Sequence, residues 1–269
     1  MHDTSYMQLH EDACARGDFT YLDPETGFVV FTRLGLLDRG RCCGAACRHC
    51  PFGHESVSLE RRSQRIQQAA WLTDARPNPD GPTSVLFWSG GKDSYLAYRA
   101  LQREGVRNLV LLTTFDARSR IIAHQEFAIS EVVEQAIHLG VPLLGVPLHA
   151  GGEYLDHIAP ALDLVPQTER LCFGDLHLER IRDWRVEAFG GDARTSAIEL
   201  SFPRWQVPYE DLLDDFEASG ATSIISAITA DLPGLAIGDT FNRDLIARLP
   251  EAIDPFGENG EFHTRISFG

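Results

Sequence analysis

The sequence predicts an α/β protein whose main body is a doubly wound parallel sheet, with a small cysteine-rich N-terminal module before it and a small C-terminal α+β subdomain after it. Two observations lead to this prediction. From residue 84 onward, short apolar runs alternate with stretches of helical periodicity. The apolar runs also lack the every-second-residue pattern of a half-exposed strand, which is typical of parallel sheets that helices cover on both faces.

Length and composition narrow the class of protein. The chain has 269 residues, of which 43% are hydrophobic and 23% charged, so most of it is expected to fold. No run approaches the roughly 18 apolar residues that a membrane helix needs. The N-terminus lacks the basic and apolar regions of a secretory signal. These features predict a cytoplasmic protein without membrane contact.

The charge is strongly negative and unevenly placed. The net charge is −15, and residues 84–269 carry 28 acidic against 15 basic side chains. An acidic surface repels a phosphate backbone, so a nucleic-acid partner is not expected. Lys92 is the single lysine among 24 basic residues. An ammonium group is compact enough to sit among phosphate oxygens, whereas a guanidinium needs more room.

The elements of the first part are short. Residues 26–37 are expected to form a strand pair or an extended segment. Residues 56–72 are expected to form a helix, since apolar residues recur there at helical spacing between charged flanks. The segment 73–84 contains three prolines and a glycine, which is typical of a linker. A domain boundary is therefore predicted there.

The alternation after the linker defines the main domain. Strands are expected over 84–88, 108–115, 141–148 and 170–176, and helices over 93–105, 124–140, 153–162 and 177–191. Beyond them, helices at 209–220 and 240–249 accompany a strand at 222–229. The predicted organisation is a module over 1–72, a linker over 73–83, the main domain over 84–196 and the C-terminal subdomain over 197–269.

The strongest functional signal lies between the first strand and the first helix of the main domain, in Ser89, Gly90, Gly91, Lys92, Asp93 and Ser94. Glycines let the backbone approach a ligand and expose successive N–H groups. The helix N-terminus adds the positive end of its dipole. The segment is not a Walker A loop, because GxxxxGK[ST] is absent. The alternative is a glycine-rich turn in which Asp93 or Ser94 caps the helix.

Five segments carry a resemblance to known families. SGGKDS resembles the pyrophosphate-binding loop (PP-loop) of the ATP pyrophosphatases, which implies an adenine nucleotide alpha hydrolase-like fold. EQAIHLGVPLLGVPL (134–148), FGDLHLERIRDW (173–184) and GENGEFHT (257–264) resemble the diphthine–ammonia ligase family and its bacterial relatives. Separately, RGRCCGAACRHCPFGH (39–54) resembles a small cysteine-rich bacterial domain of unknown function.

The ligase resemblance covers residues 84–269 and implies a reaction. A carboxylate attacks the α-phosphorus of ATP, pyrophosphate leaves, and ammonia opens the acyl-adenylate to give an amide. The implied cofactors are ATP and Mg²⁺, and the implied partners are ammonia and a small-molecule or protein carboxylate. Two alternatives stay open: ATP-dependent thiolation of tRNA or a small molecule by means of the cysteine cluster, and a nucleotide sensor without turnover.

The resemblance also assigns roles to residues. The catalytic candidates are Lys92, Asp93, Glu258, Glu261 and His263, and the nucleotide-binding candidates are Ser89, Gly90, Gly91, Lys92, Asp93, Ser94, Asp175 and Thr264. Asp175 follows a strand end, where doubly wound sheets bind ligands, and is expected either to hold Mg²⁺ or to cap the next helix. Glu258, Glu261 and His263 are suited to proton transfer or ammonium capture, with a solvated acidic turn as the alternative.

The cysteine cluster predicts a metal. Cys43, Cys47 and Cys50 are spaced C-x3-C-x2-C, and His54 or Cys42 can complete a tetrahedral Zn²⁺ site. The same three thiolates suit a [4Fe–4S] cluster, and reduced thiols without metal are the third alternative. One structural zinc is favoured, because a segment of few large apolar residues gains folding free energy from metal ligation.

Overall fold

The structure is a computed structural model that describes residues 6–24, 26–229, 232 and 234–268. Its strands are β1 (Thr20–Leu22), β2 (Val29–Phe31), β3 (Ala70–Trp71), β4 (Thr83–Phe87), β5 (Leu109–Asp116), β6 (Leu143–Leu148), β7 (Thr168–Cys172), β8 (Glu199–Ser201), β9 (Thr222–Ile228) and β10 (Phe262–Ser267). Its helices are α1 (Tyr6–Ala15), α2 (Arg33–Leu37), α3 (Leu59–Arg65), α4 (Lys92–Arg103), α5 (Ile129–Leu139), α6 (Tyr154–Leu162), α7 (Glu179–Gly191), α8 (Tyr209–Glu217) and α9 (Arg243–Ile246). None of the helices in these ranges is long and apolar enough to cross a membrane.

A six-stranded sheet in the order β3-β6-β5-β4-β7-β8 forms the centre of the molecule. Its strands pair in parallel except at the edge strand β3, which is antiparallel to β6. Neighbouring residues of β4 enter two different cores, Leu86 on one face and Val85 on the other, and both are fully buried. Burial on both faces explains the continuous apolar runs, and the predicted doubly wound α/β fold is confirmed.

The predicted helix over 56–72 is shorter than expected. α3 ends at Arg65, and Ile66 already has extended backbone angles. The chain then continues as β3, whose following residue Leu72 donates from its N–H to Leu143 O at 2.8 Å. The apolar residues at helical spacing are therefore buried by an edge strand of the sheet, which lies before the predicted linker.

The proline-rich segment 73–84 is held against the main domain. The side-chain amide of Asn108 donates to the carbonyls of Asn78 and Gly81 at 3.0 and 3.1 Å. Asn78 N–H donates back to Asn108 Oδ1 at 2.8 Å. Thr73 Oγ1 accepts from Leu143 N at 3.0 Å. Gln167 Nε2 donates to Pro79 O at 2.6 Å as well, so a segment that sequence composition marks as a linker is ordered by several hydrogen bonds to the main domain.

The prediction of a strand pair or an extended segment over 26–37 is only partly correct. The segment contains one strand, β2, which pairs with β1 before it, and it ends in the helix α2. Thr32 caps α2, and its side chain accepts from Gly35 N–H. The outer face of the hairpin is apolar and open to solvent, since Leu22, Phe28 and Val29 are 62, 73 and 66% exposed. The N-terminal module therefore directs only part of its apolar surface toward a core.

The C-terminal part pairs β9 with β10 in antiparallel fashion. It is joined to the main domain through Asp215 of α8, whose carboxylate accepts hydrogen bonds from Arg99, Arg103 and Arg204 at 2.9, 2.7 and 2.8 Å. β10 reaches back to the first strand–helix junction, where Ile266 N–H donates to Gly90 O at 3.0 Å. This return places the end of the chain beside the loop that the sequence singled out.

Candidate functional site

The segment Ser89–Ser94, hereafter the glycine loop, connects β4 to α4. Gly91 is the N-cap of α4, without a side-chain cap, so the predicted alternative of a cap by Asp93 or Ser94 is wrong. Gly90 has φ +80°, and a Cβ there would lie 2.8 Å from Gln135 Oε1. The first-turn N–H groups of a helix have no intrahelical acceptor, which leaves this loop able to bind an anion.

Two distant side chains fix the loop. Gln135 of α5 is buried, donates to Gly90 O at 3.1 Å and to Ile266 O at 2.9 Å, and accepts from Trp88 Nε1 at 2.9 Å. Thr264 Oγ1 of β10 accepts from Lys92 N–H at 3.1 Å. Thr264, predicted as a nucleotide contact, is thus placed behind the loop. Sequence reasoning missed Gln135, although a glutamine on the apolar face of a helix was a usable signal.

A cleft of about 250 Å³ opens beside the glycine loop at the carboxyl ends of the central strands. Its polar lining consists of Ser89, Asp93, Ser94, Thr114, Asp175, Arg185 and Glu258, and its apolar lining includes Phe87, Leu112, Ile122 and Tyr154. Predicted site residues from three separate stretches of sequence therefore meet in one cleft.

Carboxylates dominate the polar side of the cleft. Asp93 Oδ2 accepts from Lys92 Nζ at 3.0 Å, while its Oδ1 is buried and has no partner. Burial raises the pKa of Asp93 despite the Lys92 ammonium. Glu258 Oε2 accepts from His177 N–H at 3.0 Å. Burial and the neighbouring charge of Asp93 raise the pKa of Glu258 to about 7.

The predicted Mg²⁺ fits this lining. A buried carboxylate oxygen without a partner, such as Asp93 Oδ1, is a ready ligand for a hard cation. The described residues contain no group of three or more His, Cys, Asp or Glu side chains arranged to hold a metal ion by themselves. Mg²⁺ commonly uses one or two carboxylates and completes its shell with water and substrate phosphates, so Asp93 and Asp175 are sufficient.

Asp175 lines the cleft and does not cap a helix. α7 begins after Leu178 and has no side-chain cap, so that alternative is wrong. The Asp175 carboxylate instead accepts from Arg185 Nε at 2.6 Å and Nη2 at 3.2 Å. This two-point pairing orients the carboxylate toward the cleft. Arg185 was missed from sequence, because nothing in a helix of mixed charge marks one arginine as inward-facing.

Lys92 does not line the cleft. Its side chain is 2% exposed, and Nζ donates to Phe256 O at 2.5 Å as well as to Asp93. The ammonium lies 5.3–5.8 Å from the ring centroids of Phe241, Phe256 and Phe262. In this arrangement it neutralises Asp93 and anchors the C-terminal loop, rather than facing an anion at the glycine loop.

Of the segment 257–264, the structure brings Glu258 to the cleft and leaves the other predicted catalytic residues outside it. Glu261 Oε1 accepts from Asp254 N–H at 3.1 Å, which ties the loop to itself. His263 lies on β10 beside His124, with ring centroids 6.1 Å apart. Burial lowers the pKa of His263 to about 4, so its ring is neutral at pH 7.

The predicted metal site in the cysteine segment 39–54, hereafter the cysteine loop, is not supported. Cys43 Sγ lies 3.3 Å from Cys47 Sγ, and Cys50 Sγ lies 3.8 Å from Cys42 Sγ, so the thiols form two pairs. His54 Nε2 lies 3.0 Å from the carbonyl oxygen of Cys47. Neither the zinc set nor the [4Fe–4S] set predicted from spacing is gathered among the described residues. The adjacent Cys42 and Cys43 have different partners, which separates the thiols.

Comparison with protein families gives two matches. Residues 82–188 match the family described as Diphthamide synthase N-terminal domain, and residues 9–56 match a Family of unknown function (DUF5522). The matches confirm the resemblances drawn from SGGKDS, from 134–148 and 173–184 and from 39–54, whereas the segment 257–264 lies outside both. The first match includes the glycine loop, Gln135 and Asp175. The chain thus joins a DUF5522 segment to a segment similar to the PP-loop ATP pyrophosphatases of the diphthine–ammonia ligase type, a class of ATP-utilising enzymes.

Proposed function

We propose that the protein is an ATP-dependent ligase that adenylates a carboxylate, releases pyrophosphate and amidates the acyl group with ammonia. The observation that carries the proposal is the position of Glu258, a carboxylic acid with a pKa of about 7, in the same cleft as the glycine loop. A group with this pKa is half ionised at neutral pH and can both attract an ammonium ion and take up a proton.

The cleft supports ATP binding in two parts. The side chains of Phe87, Leu112 and Ile122 offer an apolar wall for the flat adenine ring. The N–H groups of the glycine loop offer donors to the phosphates, at the positive end of α4. Bound Mg²⁺ supplies charge neutralisation on the phosphates, and Asp93 and Asp175 would hold it. The acceptor carboxylate then has to approach from the remaining side, near Glu258.

The proposed amidation uses residues of this chain as follows. Glu258 places a carboxylate in the cleft that can attract an ammonium ion. Ammonia attacks the acyl carbon of the adenylate, Glu258 accepts a proton from the attacking nitrogen, and the bond to the phosphate breaks so that AMP leaves. The hydrogen bond from His177 N–H keeps Glu258 turned toward the cleft. Diphthine itself is one protein-bound candidate acceptor, and small carboxylic acids form the other class.

The test separates adenylation from amidation. Exchange of labelled pyrophosphate into ATP should require an acid from a panel of carboxylates but not ammonium. Amide formation should require ammonium, followed with the nitrogen-15 isotope. We expect Glu258→Gln to keep the exchange while amide formation falls by about 100-fold, the usual share of a general base. The matched control is Glu261→Gln, which should keep both activities. Exchange without any carboxylate, or equal amidation in Glu258→Gln, would contradict the proposal.

The two alternatives from sequence remain outcomes of the same assay. Thiolation by way of the cysteine loop gains no support, because no cysteine lines the cleft in the described part of the chain. Incorporation of sulfur in place of nitrogen would nevertheless establish it. A sensor would bind ATP to saturation and show neither exchange nor product with any acid tested.

A further inference from the structure

A second cavity, of about 590 Å³, lies at the cysteine loop. It is lined by Arg39, Arg41, Cys42, Cys43, Gly44 and Ser56. It shares no lining residue with the cleft at the glycine loop. Its reactive groups are thiols rather than carboxylates. Any chemistry at this cavity is therefore separate from the proposed ligase reaction.

The thiols at the cavity differ sharply in access. Cys43 is exposed and Cys47 is half-buried, and their sulfurs lie 3.3 Å apart. Cys42 and Cys50 are only 6 and 7% exposed. A reagent that enters the cavity thus meets Cys43 first, with Cys47 directly behind it.

Access separates a nucleophile from a second, resolving thiol in this pair. Cys43 is exposed and lines the cavity, whereas Cys47 is half-buried and is not part of the lining. An accessible thiol can attack an external disulfide, and a covered neighbour 3.3 Å away can attack the mixed disulfide that results.

The charges at the cavity select an anionic ligand. Arg39 and Arg41 line it, and Arg61 Nη1 lies at its edge, 3.4 Å from Gly44 O. The lining, as described, contains no acidic side chain. Guanidinium groups pair with carboxylates in two-point geometry. A disulfide compound that carries carboxylates matches both the thiols and the arginines.

We propose that Cys43 and Cys47 form a thiol–disulfide exchange site for small disulfides that carry carboxylate groups. The site does not depend on ATP and goes beyond the proposed ligase activity. The carboxylates would rest on Arg39 and Arg41, and the sulfur–sulfur bond would lie over Cys43.

The exchange balances in two steps. The Cys43 thiolate attacks one sulfur of the compound, a mixed disulfide forms, and the other half leaves as a thiolate that takes up a proton. Cys47 then loses its proton and attacks Cys43 Sγ, so the Cys43–Cys47 disulfide forms and the second half leaves. One external disulfide is reduced to two thiols, and the two cysteines are oxidised by two electrons.

The experiment uses the full chain, reduced and then mixed with glutathione disulfide as the anionic probe. We expect peptide mapping to find a Cys43–Cys47 disulfide. Cys47→Ser should stop at a mixed disulfide on Cys43, and Cys43→Ser should give neither product. In the Arg39→Gln, Arg41→Gln double variant, the rate should fall at least about fivefold more with glutathione disulfide than with neutral hydroxyethyl disulfide. Circular dichroism of each variant controls for folding.

The matched control is Cys14→Ser, a half-buried cysteine outside the loop, which should leave rates and products unchanged. A disulfide between Cys42 and Cys50 as the first product would overturn the proposal. An equal loss of rate with the anionic and the neutral probe in the double variant would contradict the proposed preference for carboxylate-bearing disulfides. If the purified protein holds a zinc ion that protects the thiols from glutathione disulfide, the exchange proposal is wrong and the cysteine loop has a structural role.

Discussion

The glycine loop and the cysteine loop are both short, glycine-containing turns that present reactive groups, and they are held in different ways. The glycine loop is fixed by Gln135 and Thr264, which lie 45 and 172 positions from their partners in the chain. The cysteine loop is held by nearer residues, such as Gln68 donating to Cys50 O from 18 positions away. Its apolar core consists of Cys42, Cys50 and Val57.

The difference fits the two kinds of chemistry proposed for these loops. A loop that stabilises charge on a phosphate gains from donors that are already in place, and long-range anchors supply that rigidity. A thiol pair that forms and breaks a bond has to change its geometry in each cycle, and local anchoring keeps that motion away from the main core. The predictions below test whether the two loops differ in stability as this comparison requires.

The largest effect is expected at Gln135. Gln135→Leu leaves Gly90 O, Ile266 O and Trp88 Nε1 without their buried partner, which should lower the free energy of unfolding by about 4 kcal/mol. Urea unfolding measures it. Gln68→Leu is the matched control, because it removes one half-buried hydrogen bond and should cost about 1 kcal/mol. An equal loss of unfolding free energy in Gln135→Leu and Gln68→Leu would contradict the difference in how the two loops are anchored.

The next effect is local and concerns Arg62. Its buried guanidinium donates to the carbonyls of Val57, Glu55 and Trp71, and so fastens the end of the cysteine loop to the edge of the sheet. Arg62→Met should destabilise this region by about 2–3 kcal/mol.

The readout is alkylation of the buried thiols in the cysteine loop. In Arg62→Met, the free energy of local opening should be about 2–3 kcal/mol lower than in the parent, so Cys42 and Cys50 should be labelled about 100-fold faster. Cys172, which lies in the central sheet, should stay protected. Arg61→Met is the control, since Arg61 is exposed and makes one long contact to Gly44 O. Parallel exposure of Cys172 would mean that the two regions open together.

A pH-dependent effect is expected at Glu258. Its pKa in the folded protein is about 7, above the 4.5 of a free glutamate, so the folded state binds this proton more tightly than the unfolded chain. The ionised side chain therefore destabilises the fold. The penalty is absent below pH 4.5, grows as the pH rises and is complete above about pH 7.

Glu258→Gln removes this penalty. We expect the variant to be more stable than the parent by about 1–2 kcal/mol at pH 8 and of nearly equal stability at pH 4.5. Denaturant unfolding at the two pH values measures the difference. A gain of the same size at both pH values would show that ionisation of Glu258 is not its cause.

The smallest effect is expected on the outer face of the β1–β2 hairpin. Phe28 is 73% exposed, so Phe28→Ser should change the free energy of unfolding by less than about 0.5 kcal/mol. Leu36→Ser, at a buried position of the adjacent α2, is the contrasting control and should cost several-fold more. A loss above about 1 kcal/mol at Phe28 would mean that another surface covers this face.

Sequence was sufficient wherever the signal is local. The strand–loop–helix around Ser89–Ser94 and the alternation that predicts the parallel sheet depend on residues close together in the chain. Burial of β4 on both faces follows from its unbroken apolar run. The position of Asp175 at the carboxyl end of β7 also followed from strand order alone. The glycine-loop edge of the cleft could therefore be predicted.

What could not be predicted depends on contacts between distant residues. Arg185 looks like any helical arginine until α7 is packed beside Asp175. The thiol spacing of the cysteine loop is compatible with a metal, but backbone turns direct Cys42 and Cys43 to different partners. β3 was mistaken for helix because an edge strand and a helix can bury the same small residues. Periodicity in such a short segment cannot separate them.

The return of β10 to the glycine loop has a consequence for biosynthesis. Thr264 meets Lys92 N–H across 172 positions of chain. A ribosome adds roughly 5–20 residues per second, so the loop waits on the order of ten to thirty seconds for the strand that completes it. During that interval, Lys92 N–H in the glycine loop lacks the hydrogen bond that Thr264 Oγ1 accepts in the folded protein. The order of the chain therefore sets the earliest time at which the glycine loop is complete, namely when β10 has been synthesised and has paired with it.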